Sequence, residues 1–179
     1  NISISGVQEK FSLKLVDKTL VLTDKGGEYI LKPIPAGLLN VTQAPANEHL
    51  TMQIAEQIFK LSTAKNAIIF FSDGVPAYIT KRFDVKNDGS RCLKEDFASL
   101  AQRTSKNAGK NYKYDYTYEG IARLIDQYIP AVTASKEAFF QLVVFNYLFS
   151  NGDAHLKNFS RIDCSLIGDA FLSPAYDLI

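Results

Sequence analysis

The sequence predicts an α+β fold in two lobes, a β-rich half followed by a helical half. Three observations predict it. Period-two alternation and short apolar runs dominate up to about residue 84. Apolar residues recur at helical spacing from Glu95 onward. A polar, turn-rich stretch from Asp84 to Ser90 separates the two patterns. The expected division is therefore residues 1–84 and residues 85–179.

In the first half, Phe11, Leu13 and Leu15 alternate with polar neighbours, and Thr19 to Leu22 and Tyr29 to Leu31 continue the β pattern. Asp24-Lys-Gly-Gly27 supplies a turn between the last two. Pro45 opens a helix with Asn47 as a plausible N-cap, and Leu50, Ile54, Ile58 and Leu61 mark its apolar face. Strands are expected from Ala67 to Phe71 and from Pro76 to Phe83, joined at Ser72-Asp-Gly74.

In the second half, Phe97, Leu100 and Ala101 suit a short helix, and Ile121, Leu124, Ile125 and Tyr128 suit another. The longest helix runs from an N-cap at Ser135 to Phe149. Arg103 to Tyr118, rich in Lys, Asn and Tyr, reads as a mobile polar loop.

Composition narrows the function classes. With 46% hydrophobic and 22% charged residues, the chain has the make-up of an ordinary globular protein. Its formal net charge of +1 gives no global field for nucleic acid or an anionic membrane, and neither is an expected partner. The most apolar segment, Ala138 to Phe149, is interrupted by Gln141 and Asn146 and falls short of the roughly 20 residues of a membrane span. It reads as a buried helix. Cys92 and Cys164 lie far apart without metal-type spacing, so unpaired thiols and a cytoplasmic setting are expected. The chain opens on Asn1 rather than a methionine and stops at Ile179, which suggests a piece of a longer protein.

The chemistry concentrates in Asn151-Gly-Asp-Ala-His-Leu-Lys-Asn158, with a further carboxylate at Asp177. Phosphoryl transfer needs one carboxylate to orient a hydroxyl, and an amide plus another carboxylate to hold Mg²⁺ on the phosphates. Asp153, at the mouth of the long helix, is the expected catalytic residue. Asn158 and Asp177 are the expected metal ligands, both oxygen donors of the kind Mg²⁺ prefers. Lys157 is placed to face the γ-phosphate. His155 lacks the companions of a transition-metal site and is read as structural or phosphate-adjacent.

Four upstream features converge on ATP. Ser3-Ile-Ser-Gly-Val-Gln-Glu-Lys10 is a small-residue turn leading into a strand, able to cradle phosphates or to be a plain turn. Lys32 follows an apolar run and is either aimed at the phosphates or a snorkelling edge lysine. Glu48 near the helix start either pairs with Lys32 or is a solvated first-turn acid. Thr80 to Asp84 would serve as an adenine hinge with Phe83 over the ring. This is the order of a two-lobed kinase.

Together these residues resemble the HipA-like serine/threonine kinases, toxins of bacterial toxin–antitoxin systems. The resemblance rests on residues 5–10, Ile30-Leu-Lys-Pro33, Asn47-Glu-His49, Arg82-Phe-Asp84, Glu95-Asp-Phe97, Gly152 to Asn158 and Ala175-Tyr-Asp177. It implies a bilobal protein-kinase-like fold, with the family's final C-lobe helices absent here, and Asp153 as the catalytic residue. It also implies ATP and Mg²⁺ as cofactors. Nucleotide contacts would fall on Ser5, Gly6, Val7, Gln8, Glu9 and Lys10, on Lys32, and on the hinge residues Lys81, Arg82 and Phe83. His155, Lys157, Asn158 and Asp177 would complete the set.

Family members phosphorylate an aminoacyl-tRNA synthetase, pair with antitoxin proteins and autophosphorylate a loop serine. Ser3 and Ser5 are the candidates here, in a Ser-x-Ser form similar to the short HipT toxins. A small-molecule kinase of the aminoglycoside or choline type, and a nucleotide-binding pseudokinase, are the alternative functions.

Overall fold

The computed structural model describes residues 8–36, 41–165 and 168–179. Its first half is a five-stranded antiparallel sheet in the order β2-β1-β3-β5-β4, built from β1 (Phe11–Val16), β2 (Thr19–Leu22), β3 (Tyr29–Pro33), β4 (Asn66–Phe70) and β5 (Pro76–Lys81). Asp17 and Lys18, both at positive φ, close the β1–β2 hairpin as a two-residue loop, the geometry that matches strand twist. β3 is central, so Lys32 sits mid-sheet opposite Tyr78 rather than at an edge. Leu13, Leu31, Ala77 and Ile79 form a small apolar cluster on this sheet.

Helix α1 (Ala44–Gln57) starts one turn earlier than its sequence suggests. Gln43 is the N-cap, without a side-chain bond, and Asn47 lies inside the helix. Pro45 explains the start, because its fixed φ suits a first turn and its missing N–H would have had no helical partner. The inward face also differs from expectation. Glu48, Thr51, Met52 and Ala55 are buried, while Leu50 and Ile58 (70% exposed) face outward. Glu48, Met52 and Ala55 fall at i, i+4 and i+7, so the true stripe carries a carboxylate that apolar periodicity cannot register.

The second half holds α2 (Phe97–Leu100), α3 (Ser105–Ala108), α4 (Tyr118–Tyr128) and α5 (Val132–Leu148). Asp96 caps α2 by accepting from the Ser99 N–H at 2.9 Å, and Thr117 caps α4 by accepting from Gly120 at 3.0 Å. α5 begins before Ser135, which is no cap. The Ser135 hydroxyl instead accepts from the Leu172 N–H at 3.2 Å. α5 is buried on one side only: Phe139, Leu142 and Phe145 point inward, whereas Phe140 and Tyr147 (84% exposed) do not.

A small sheet of β6 (Leu93–Asp96), β7 (Ser160–Asp163) and β8 (Ala170–Leu172) flanks these helices and was not legible in the sequence. The larger core joins Met52 and Ala55 of α1 to Phe97, Ile125, Phe145 and Phe159, so apolar packing crosses residue 84. Among the described residues no helix is long and apolar enough to cross a membrane.

The expectation of unpaired thiols is overturned, because Cys92 and Cys164 form a disulfide. Leu93 pairs with Asp163 across β6–β7, so the cysteines are the next pair along the same antiparallel ladder, with Cα atoms 4.3 Å apart. That is the close spacing of a non-hydrogen-bonded pair. A cross-link over 72 positions is worth about 4 kcal/mol in the chain-entropy account.

Candidate active site

Strand β3 carries the Lys32 side chain inward to 2% exposure. Its ammonium meets Glu48 Oε1 at 2.5 Å and Asp177 Oδ1, and Lys10 Nζ stands 3.4 Å from Asp177 Oδ2. Residues from four separate segments thus converge on one charge cluster. Asp177 takes φ +55°, a left-handed conformation that non-glycine residues rarely adopt and that recurs at functional sites.

Burial alone would depress the Lys32 ammonium, but Asp177 and Glu48 outweigh it and its pKa is raised. Burial raises Glu48 to about 7 against the opposing pull of Lys32. Burial also acts to raise Asp177, yet Lys32 and Lys10 win and hold it at about 2. Asp177 is therefore an anion at neutral pH.

Glu48 gives a pH prediction. Its folded pKa exceeds the ordinary 4.5, so its proton stabilises the folded state fully below about pH 4.5. That contribution disappears as pH rises through about 7. The loss should be about 3 kcal/mol. Asp177 acts in a separate window: its contribution is present above pH 3.8 and is lost as pH falls through about 2. Urea midpoints at pH 5 and pH 8 for wild type and Glu48→Gln check this. The variant should lose the difference, and an equal difference in both would refute the assignment.

After α5, Ser150 at φ +55° reverses the chain into the second cluster. Asn151 Nδ2 donates to Asn146 Oδ1 at 3.1 Å, and Asn151 Oδ1 accepts from the Asp153 N–H at 3.3 Å. Asn146, which looks like a mere interruption of an apolar helix, thus anchors the loop that presents Asp153. His155 N–H donates to Asn158 Oδ1 at 3.0 Å, closing a single 3-10 turn over Leu156–Asn158. Burial, reinforced by Lys113, lowers the His155 pKa against Asp153, favouring a neutral ring. Lys157 pairs with Asp96 at 3.3 Å.

Tyr176 links the two clusters. Its hydroxyl donates to the Lys157 carbonyl at 2.7 Å, leaving it to accept from Ser160 at 2.7 Å. Its ring lies 5.4 Å from that of Phe83, and the Lys94 ammonium stands over both rings at 4.8 and 5.2 Å.

At the expected hinge, the Lys81 N–H bonds Lys65 and the Arg82 N–H bonds Glu28, each at 2.7 Å. The Arg82 guanidinium is held by Asp84 through two hydrogen bonds of 2.9 and 2.5 Å. Gln8 Nε2 donates to the Pro33 carbonyl at 3.0 Å, and Glu9 is exposed. Ser3, Ser5, Gly6 and Val7 lie outside the described residues.

The segment 103–118 departs from expectation, since it is docked rather than free. The Leu156 N–H donates to the Lys113 carbonyl at 3.0 Å, and the Tyr114 hydroxyl donates to Asp153 Oδ1. Arg103 pairs with Asp115 at 3.2 Å. Tyr114 and Lys94 are site residues that no local pattern singles out, because each acts through long-range placement.

Mg²⁺ commonly takes one or two protein oxygens and fills its octahedron with phosphates and water. The donors here, an anionic Asp177 and the Asn158 amide oxygen, suit that chemistry. Among the described residues no group of three His, Cys, Asp or Glu side chains forms a self-sufficient metal cage.

Residues 2–179 match the HipA-like C-terminal domain family. The chain belongs to that family. It is 29% identical over 185 residues to a Haemophilus influenzae protein named "Putative kinase", covering 99% of the chain and 52% of that protein. It is 33% identical over 193 residues to "Putative kinase Y4dM" of Sinorhizobium fredii, covering 99% of the chain and 44% of that protein. The chain thus spans about half the length of these relatives.

Among solved structures, the HipA, HipB and operator DNA complex of Shewanella oneidensis gives a TM-score of 0.74 at 23% identity, over 99% of this chain and 43% of that one. The Helicobacter pylori proinflammatory kinase CtkA gives 0.69 at 18% identity, over 98% and 55%. The fold is that of these kinase-like proteins, bilobal and α+β, as the residue order predicts.

Proposed function

We propose that this chain is the catalytic portion of an ATP-dependent serine/threonine protein kinase of a bacterial toxin–antitoxin system. One observation carries the reading: Lys32, buried on the central strand, joins Glu48 of α1 and Asp177 of the second half. A buried lysine fixed by two carboxylates is costly to keep for stability alone, whereas a positioned ammonium suits phosphate binding.

Bound Mg-ATP would supply the transferable phosphoryl group and the metal charge that neutralises its oxygens. Lys32 would hold the α- and β-phosphates, oriented by Glu48. Asn158 and Asp177 would ligate the metal, with the Lys32–Asp177 contact loosening as the phosphates enter. Residues 5–10 would cover the triphosphate. Lys81 to Phe83 would line the adenine; since the Lys81 and Arg82 N–H groups are committed, Phe83 supplies the remaining backbone donor.

Asp153 would accept the hydrogen bond of the acceptor hydroxyl and orient its oxygen toward the γ-phosphorus. As the new P–O bond forms, the bond to the β-phosphate oxygen breaks and the hydroxyl proton passes toward Asp153. His155 and Lys157 would stand beside the transferred group, Lys157 after leaving Asp96.

The family resemblance supports an aminoacyl-tRNA synthetase as target, an antitoxin protein as partner, and autophosphorylation on Ser3 or Ser5. The HipA of Shewanella oneidensis was solved with HipB and operator DNA, which supports an antitoxin partner for the protein that carries this chain. A cytoplasmic site of action follows from that target, and the Cys92–Cys164 disulfide is the feature that stands against it.

Incubating the full-length protein with Mg-ATP and reading its intact mass tests the proposal. We expect a gain of one or two phosphates, abolished when Ser3 and Ser5 are both Ala, and transfer to a synthetase in the mixture. No phosphate on either protein, with Mg-ATP demonstrably bound, would instead leave a nucleotide-binding pseudokinase.

A further inference from the structure

On the kinase reading, the Asp153 carboxylate must receive an acceptor hydroxyl. In the structure it already holds one. The Tyr114 phenol donates to Asp153 Oδ1, the same interaction that a substrate hydroxyl would make.

Tyr114 is held there from several sides. The Leu156 N–H fixes the neighbouring Lys113 carbonyl at 3.0 Å. The His155 ring meets the Tyr114 ring edge-to-face at 5.0 Å, and the Lys113 ammonium stands 4.8 Å from its centroid. The ring nevertheless remains 46% exposed, so leaving this position requires no opening of the core.

Beside it lies a cavity of about 380 Å³ between this segment, the start of α4 and the catalytic loop. Tyr114, Tyr116, Thr117, Glu119, Ile121 and His155 contribute to its wall. Gly120 matters to its shape, because a Cβ there would fall 2.6 Å from the Tyr116 ring. The cavity is small among ligand sites, which run from about 300 to 1,000 Å³. Its aromatic faces suit an apolar side-chain body, and its charges are balanced between Lys113 and Glu119. A polycationic small molecule would require several carboxylates, and the wall offers one. A polypeptide segment fits this chemistry.

We propose that the cavity receives the hydroxyl-bearing segment of a protein substrate, and that Tyr114 is its built-in pseudosubstrate. The phenol holds the acceptor position on Asp153 and excludes water from it until an incoming Ser or Thr hydroxyl takes its place. Tyr114 is thus a gating residue, not a catalytic one, and the inference rests on the kinase reading above.

The test compares wild type, Tyr114→Phe and Asp153→Asn in the full-length protein. Phe keeps the ring and its packing against His155 while removing the hydroxyl. Two rates are measured with Mg-ATP: phosphate release to water without a protein acceptor, and phosphorylation of dephosphorylated casein as a generic acceptor. A hydrogen bond to a charged group shifts an equilibrium on the order of 10- to 100-fold. Tyr114→Phe should therefore raise phosphate release about tenfold and lower the casein KM, leaving the KM for ATP unchanged.

If Asp153→Asn abolishes phosphate release but Tyr114→Phe matches wild type in both assays, the gate is overturned and the kinase reading stands. If Tyr114→Phe slows phosphate release, the hydroxyl assists rather than occludes, and the proposal is again overturned. If Asp153→Asn changes neither rate, Asp153 is not the group that orients the acceptor, and the gate is overturned with that assignment. If wild type itself transfers no phosphate to casein or to water with Mg-ATP bound, the kinase reading fails. A thermal melt of Tyr114→Phe matching wild type confirms that the comparison concerns folded protein.

Discussion

Lys32→Met should lower the unfolding free energy by about 3–5 kcal/mol, the range for removing one partner of a buried ion pair. Methionine preserves most of the stem volume, and the contact with the Tyr78 ring, 5.3 Å from the ammonium, becomes an ordinary apolar one. What disappears is the charge between Glu48 and Asp177. Glu48 is fully enclosed and cannot turn to water, so it must take up a proton. Asp177 keeps Lys10.

The double variant Lys32→Met, Glu48→Leu isolates the pair, because exchanging both charges for apolar groups is often neutral or stabilising. We expect it to recover most of the loss, giving a coupling of several kcal/mol in a double-mutant cycle. A solvated lysine would give a single-variant effect below about 1 kcal/mol. That outcome, read from urea midpoints at constant slope, would remove the central observation of the site.

Sequence order predicted the α+β class and the five strands of the first sheet, since those strands carry enough alternating apolar residues to mark a half-buried surface. Asp153 and Asp177 could be singled out by residue chemistry, as carboxylates grouped with Asn158 in the pattern phosphoryl transfer needs. Lys32 and Glu48, by contrast, are hidden from periodicity because they are buried polar groups where the pattern demands apolar ones. Glu48 shows the cost. Reading α1 from its apolar residues alone rotated the helix and pointed Leu50 and Ile58 inward, because the carboxylate replaces one rung of the inward stripe.

The second sheet leaves little trace in the sequence because its strands are three or four residues long, and β6 and β7 carry Lys, Glu, Asp and Arg in place of an apolar alternation. Register alone brings Cys92 beside Cys164, and a separation of 72 leaves no local sign of that. Tyr114 is the clearest limit. A tyrosine amid Lys and Asn looks like a solvated loop, and only the fold lays that loop across Asp153.

Asp153→Asn should reduce phosphoryl transfer by about 10² to 10⁴-fold, the range for a lost general base. The substitution conserves size. The Asn amide oxygen can still accept from Tyr114, and the backbone N–H that bonds Asn151 is unchanged, so the loop should hold its shape. What is lost is the negative charge that orients the acceptor oxygen and draws its proton as the new bond forms. That charge acts on transfer rather than on nucleotide binding, because the ion pairs at Lys32, Glu48, Asp177 and Lys10 do not involve Asp153. Mg-ATP affinity measured by calorimetry should therefore remain within about twofold, while kcat falls and the KM for ATP holds. Asp177→Ala should behave oppositely, weakening Mg-ATP binding itself by removing the charged metal ligand. Near-normal transfer by Asp153→Asn, with Mg-ATP bound as tightly as in wild type, would show that another group orients the hydroxyl.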